Sequence, residues 1–198
     1  MAPYTSHLLK FDQQEHKAPH IVAMNPRGRL PILKHDDYVV FESVAVLYYL
    51  DLKYPEPPIF GRTAEEAGVI MRVICEFEAY AEDHLMKIVR ALFEGGVNET
   101  NIGELTRAML AVASEARTIE GRLSKGDWIV GDAYSAVDMV VFPAIQVLLR
   151  ALKKPGAGVL ASRFLPVEVN YPALGRWLDR VAALPGYGKT RPPHWHTS

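Results

Sequence analysis

A proline placed one residue into a strand-forming run, Leu30-Pro31-Ile32-Leu33, with turn chemistry close on both sides, limits this chain more than any other stretch. Asn25-Pro26-Arg27-Gly28-Arg29 leads into it. His35-Asp36-Asp37 then turns the chain back into a second apolar run, Tyr38 to Phe41. Proline cannot donate a ladder hydrogen bond and so belongs at the start of a strand, and X-Pro is the one bond where a cis form is cheap enough to be built in. The stretch predicts a hairpin, Leu30 to Lys34 paired with Tyr38 to Phe41, whose first backbone positions are free to meet a peptide-like ligand. Glu42-Ser43 follows where the second strand runs into a helix, Val44 to Lys53. Ser43 there offers a hydroxyl and free N–H groups at a positive helix end, which is a seat for a carboxylate.

Upstream, Tyr4 to Phe11 has the composition of a strand, Asp12 to Pro19 is a polar connection and His20 to Asn25 a short helical piece. Tyr54-Pro55-Glu56-Pro57-Pro58 stops the helix, because proline disfavours a helical residue before it. Domains are therefore expected over 1–57 and 63–198. From Thr63 onward Ile70, Ile74, Phe77, Ala81, Leu85, Ile88 and Leu92 recur in steps of four and three, the period of a long amphipathic helix ended by Gly95-Gly96. A second helix runs from Ile102 to Leu123. A third, Ala136 to Leu152, is apolar nearly all round and belongs at the centre of a helical bundle, bent at Pro143. Ser135 as N-cap and Asp138 at the third helical position form a reciprocal structural cap, with Tyr134 stapling onto Met139. Tyr171 to Leu184 closes the bundle and His194 to Ser198 is a tail.

With 198 residues and a formal net charge of −1, nothing calls for a nucleic acid or other polyanion as partner. The sequence shows no apolar run long enough for a membrane span and no signal pattern at its start, so a cytoplasmic location is the default expectation. Cys75, the single cysteine, lies among Val73, Ile74 and Phe77 and is expected to pack as a small hydrophobe. His16 and His20 have a spacing used by metal-binding helices, but Pro19 interrupts them; no metal is expected.

These motifs together resemble the glutathione S-transferase family. The block Asn25-Pro26-x-Gly28-x-x-Pro31 followed by Glu42-Ser43 resembles its glutathione-binding half, Ile129 to Asp138 its capped core helix, and Tyr171-Pro172-Ala173-Leu174 through Trp177 and Leu184-Pro185 its last helix. Glu15-His16-Lys17 and the closing Arg191-Pro192-Pro193-His194-Trp195 look most like the rho and theta branches. The resemblance implies an α+β architecture, a thioredoxin-like N-terminal domain followed by an all-α bundle. The family opens with a strand, a loop bearing a catalytic Ser, Tyr or Cys, and a helix. This sequence begins at the strand after these, so the N-terminal domain is expected to be truncated. Tyr4 to Phe11 then either moves inward to pair with the hairpin or leaves an exposed edge.

Glutathione carries two carboxylates, an α-amino group, two peptide bonds and a thiol. By resemblance, Leu30 pairs its backbone with the cysteinyl part beside cis-Pro31, and Glu42 with Ser43 holds the γ-glutamyl end. His16, Lys17 and Arg29 meet the glycine carboxylate, where a cation gains a charge-assisted bond. The thiol-activating residue is not identified: a free thiol titrates near 8.5 and needs a neighbouring donor, cation or helix end to ionise at neutral pH. Tyr4, Thr5 and Ser6 are the hydroxyls nearest the start, and they fall on a strand rather than on a loop entering a helix. The resemblance further implies an apolar electrophile as co-substrate and a homodimer. Activity is expected to be impaired, and a binding module without catalysis is the alternative.

Overall fold

In the computed structural model, which describes residues 4–192 and Trp195, the hairpin consists of β1 (Ile32–His35) and β2 (Tyr38–Phe41), antiparallel and paired from Ile32 with Phe41 to His35 with Tyr38. Asp36 makes the turn at φ +54°, an angle that the short aspartate side chain tolerates. The ladder starts at Ile32 instead of Leu30, since Pro31 has no N–H to give it. Ahead of the hairpin come a single 3-10 turn, Glu15–Lys17, and helix α1 (Pro19–Met24), which uses the fixed φ of Pro19 at its first position. Helix α2 (Ser43–Lys53) follows β2.

Tyr4 to Phe11 does not form the expected strand. Residues 4–10 are irregular and lead into a turn at 11–14, with Tyr4, Leu8 and Phe11 exposed by 75%, 72% and 62%. A strand exists by virtue of a partner's hydrogen bonds, and among the described residues the sheet holds only β1 and β2. Apolar composition alone cannot keep a segment extended; its end is instead drawn into the turn, where Lys10 N–H donates to the Glu15 carboxylate and the Lys10 and Phe11 carbonyls accept from Glu15 and Gln14 N–H.

The chain divides into two compact units, Met1–Pro57 and Pro58–Ser198. The second is helical throughout. Helix α3 (Ala64–Phe77) starts from Thr63, whose hydroxyl accepts from the Glu66 N–H at 3.2 Å. It continues through one wide π turn, Glu78–Glu82, into α4 (Asp83–Glu94). Every residue of the predicted apolar stripe from Ile70 to Leu92 is buried on both sides of that turn. Cys75, expected to pack inside, is exposed: it sits one position past Ile74 and so about 100° round the helix from it.

Helix α5 (Ile102–Leu123) buries Leu105, Met109, Val112, Ala116, Ile119 and Leu123, the face its period marks out. Helix α6 (Ala136–Leu152) is the centre, with Ala136, Val137, Val141 and Leu148 fully enclosed and Pro143 inside it. Two short helices, α7 (Gly158–Ala161) and α8 (Val167–Asn170), lead to α9 (Pro172–Ala182) and α10 (Tyr187–Thr190). Glu120 of α5 ties α9 in place, its two carboxylate oxygens accepting from the Ala173 and Leu174 N–H groups at 2.9 and 2.8 Å. A carboxylate at a helix N-terminus satisfies free donors and meets the positive dipole end.

Ser135 and Asp138 form the expected capping box, but Asp138 does more than cap. It is wholly buried and accepts from Ser135 N–H (2.9 Å), Ser135 Oγ (3.1 Å), Ile129 N–H (3.3 Å) and Trp177 Nε1 (2.8 Å). One carboxylate thus binds the 129–135 loop, α6 and α9 together. Burial pushes the Asp138 carboxyl above its ordinary range, and its four hydrogen bonds draw it part of the way back. Tyr134 stacks edge-on against Trp128 at 5.3 Å; burial first, and the nearby Asp138 second, push its phenol up to about 12. No helix among the described residues is long and apolar enough to cross a membrane. The expected closing tail lies outside the described residues, apart from Trp195.

Candidate functional site

The hairpin register brings the two halves of the predicted site to one place. The last ladder pair is Ile32 with Phe41, so Pro31 and Glu42 are the residues that come next on either side of it. Adjacent strands lie about 5 Å apart. The Leu30–Pro31 bond is cis, and both residues precede the ladder.

On the facing side Glu42 has φ 70° and ψ 124°, a conformation that a residue with a side chain rarely adopts. Holding it costs on the order of 1–3 kcal/mol, and such strain persists where the surroundings impose it. Its effect is to turn β2 abruptly into α2. The expected cap moves by one residue: Glu42 occupies the cap position and makes no side-chain cap bond, while Ser43 is the first residue of the helix. The Glu42 carbonyl accepts from Val46 N–H at 2.9 Å, so the helix is under way at once. The N–H groups of its first turn precede any intrahelical partner. Both Glu42 and Ser43 are exposed, which leaves a carboxylate and a positive helix end side by side.

The lead-in turn is built more tightly than the sequence suggests. Asn25 is 1% exposed; its Oδ1 accepts from Arg27 N–H at 3.1 Å, its Nδ2 donates to the Arg29 carbonyl at 2.9 Å, and its own carbonyl accepts from Gly28 N–H at 2.8 Å. Gly28 is buried at φ +56°, and a Cβ there would come within 2.9 Å of the Lys17 side chain. Lys17 lies along this glycine with its Nζ donating to the Arg27 carbonyl at 3.2 Å. The lysine is therefore a strut of the turn as well as a nearby cation. His16 is half-buried with its ring 4.7 Å from that of Phe11, and its Nδ1 is enclosed without a hydrogen-bond partner. Arg29 is exposed.

His16, Lys17 and the 27–29 turn thus form one cluster, and Leu30, Pro31, Glu42 and Ser43 form the end of the hairpin. Asn25 is the residue that sequence reasoning passed over as a functional group. Its signal was its place at the head of an Asn-Pro-x-Gly turn, where a side-chain amide can stand in for backbone. A cavity of about 300 Å³ lined by His35, Asp36, Asp37, Tyr38, Tyr49 and Lys53 lies at the other end of the hairpin, away from these residues. Among the described residues no three His, Cys, Asp or Glu side chains gather in a geometry that could hold a metal.

The family profile described as the glutathione S-transferase C-terminal domain matches residues 82–185, more than half of the chain, and that of the N-terminal domain matches residues 2–52. The chain belongs to the glutathione S-transferase family. Its fold is accordingly the family's small thioredoxin-like domain followed by a helical one. The N-terminal match begins at residue 2, and so lends no support to the expected truncation. Glutathione S-transferase A of Pleuronectes platessa is 27% identical over 97% of this chain and 81% of its own length. A maleylacetoacetate isomerase of Pseudomonas aeruginosa is 25% identical over 91% and 79%. In fold the chain is similar to a glutathione S-transferase of the Antarctic clam Laternula elliptica, with TM-score 0.79, 23% identity and coverage of 98% and 83%. It is equally similar to a glutathione transferase of Burkholderia graminis solved with two glutathione molecules per subunit, with TM-score 0.79, 22% identity and coverage of 94% and 76%.

Proposed function

We propose that this transferase-family chain binds glutathione at the end of the hairpin and adds its sulfur to an apolar electrophile. The reading rests on one observation: the strained Glu42 at the head of α2, directly beyond the ladder pair Ile32–Phe41 that Leu30–Pro31 leads into. The γ-glutamyl carboxylate is the natural guest of the Ser43 N–H and hydroxyl, and the Glu42 carboxylate that of the α-ammonium group. The Leu30 backbone meets the cysteinyl peptide. Arg29 and His16, with Lys17 from its strut position, face the glycine carboxylate. In the reaction the glutathione thiol gives its proton to solvent or base, the thiolate forms a carbon–sulfur bond, and the leaving group departs with its electron pair. Binding contributes by holding the two reactants in line. A homodimer in the cytoplasm completes the proposal.

Calorimetry with the full chain is the test. Glutathione binding is expected, and Ser43→Ala should weaken it by about 0.5–1.5 kcal/mol, the worth of one hydrogen bond. Absence of binding by the unmodified chain would end the reading. A second reading, a glutathione-binding module without catalysis, draws on Tyr4, Thr5 and Ser6: all three are exposed on irregular chain, which gives none of them a setting that lowers a thiol's pKa. Turnover of an activated aryl chloride by a chain that binds glutathione separates the two.

A further inference from the structure

We infer that Asn25 is a positioning residue for glutathione, acting by aiming the Leu30 N–H. This rests on the proposed reading and assigns a role to a side chain outside the seat itself. Asn25 is buried; its N–H donates to the Ile21 carbonyl, and its side chain and its own carbonyl make three further hydrogen bonds to backbone groups of the turn that leads to Leu30. The decisive one is Nδ2 to the Arg29 carbonyl, at 2.9 Å.

A peptide unit is planar, and in the trans form its C=O and N–H point in opposite directions. Among the described residues the cis bonds are Leu30–Pro31, Glu56–Pro57 and Leu165–Pro166, so Arg29–Leu30 is trans. Fixing the Arg29 carbonyl toward Asn25 therefore turns the Leu30 N–H away from it. Leu30 is followed by a proline nitrogen, which has no hydrogen. Its own N–H is thus the last backbone donor before β1, and its direction is set by a side chain five residues earlier. Lys17 holds the Arg27–Gly28 peptide, two units earlier, through the Arg27 carbonyl, and the bare Gly28 leaves room for the lysine stem. The turn is clamped from two sides, with the amide group as the clamp nearest the ligand.

Asn25→Asp is the sharpest variant. It keeps an oxygen for Arg27 N–H and replaces the Nδ2 donor by an oxygen that repels the Arg29 carbonyl. The full chain, labelled with nitrogen-15, is titrated with glutathione while the Leu30 and Ser43 amide signals are followed. In the unmodified chain both should move. In Asn25→Asp affinity should fall about fivefold to tenfold, the factor that one misplaced hydrogen bond carries. The Leu30 response should be lost while that of Ser43 remains. A general loosening of the unit would diminish both together, so the contrast between them is the signature of positioning. Asn25→Ser, whose hydroxyl can still accept from Arg27 N–H but is too short for the Arg29 carbonyl, repeats the test if the aspartate variant does not fold. Unchanged affinity with an intact Leu30 response in either folded variant overturns the inference and leaves the proposed function standing. No binding by the unmodified chain overturns both.

Discussion

The two units of this chain are held by different means. Among the described residues of Met1–Pro57 the only buried apolar one is Ile21, beside Asn25 and Gly28, and α2 buries no residue at all despite its apolar composition. In Pro58–Ser198 a continuous interior runs from Phe60 to Val181, with Trp177, Phe77, Phe164 and Tyr171 among its largest enclosed side chains. A two-stranded hairpin is marginal by itself, so the first unit depends on polar fastening: the ladder, the Asn25 turn and the Lys17 strut. The second depends on area removed from water. The comparison teaches where a substitution should be felt. Changes in the first unit act on local shape and on binding, and changes in the second act on whether the bundle folds.

The largest test is Trp177→Ala. It empties the space against Phe142, whose ring lies 5.7 Å away, and removes a donor to Asp138. A loss of about 3–5 kcal/mol is expected in chemical unfolding followed through the helical signal. A loss near zero would break the contrast between the units. Asp138→Ala comes next, at about 2–4 kcal/mol, because Ser135 N–H, Ile129 N–H and Trp177 Nε1 are all left without an acceptor. That exceeds the roughly 1 kcal/mol that a helix cap alone is worth. A measured loss of only that size would reduce Asp138 to a cap.

Ile21→Ala should cost about 2 kcal/mol, and all of it within the first unit. Amide exchange in β1 and β2 should quicken while α6 stays protected. Faster exchange in α6 would show that the second unit leans on the first. The smallest effect is one of pH. Burial places the native pKa of Asp138 above its unfolded value, so the native state holds this proton more tightly. Its contribution is complete below the unfolded pKa and is lost as pH rises through the native one. The stability advantage of the unmodified chain over Asp138→Asn should therefore be greatest in acid and shrink as pH rises across that interval. An advantage that grows instead would mean that the four hydrogen bonds outweigh the burial.

The same contrast explains what could be read from the sequence. Helices α5 and α6 were legible to the residue, because a helix closes its hydrogen bonds within itself and its buried face repeats at a fixed period. Tyr4 to Phe11 was misjudged for the opposite reason: a strand depends on its neighbour, and the neighbour is not encoded locally. In the site, the hairpin followed from the turn chemistry at Asp36-Asp37, which brings the chain back so that Glu42-Ser43 comes directly after the second strand. The strain at Glu42 was not legible, since nothing in the residue type announces a positive φ. Asp138 was recognised as a cap from its spacing to Ser135. Its bonds to Ile129 and Trp177 come from segments that periodicity cannot bring together.

The wide turn at Glu78–Glu82 gives the α3–α4 rod a tolerance that regular helices lack. Inserting or deleting one residue in an ordinary helix rotates everything beyond it by about 100°, and a buried stripe is turned out to water. A π turn already contains such an extra residue, absorbed as a bulge. Removing one position between Glu78 and Glu82 would relax the bulge into plain helix and leave Ile70 and Leu92 on the same side. In this stretch the chain can therefore lose one exposed residue, though not the buried Ala81, and keep the two sides of the stripe in register.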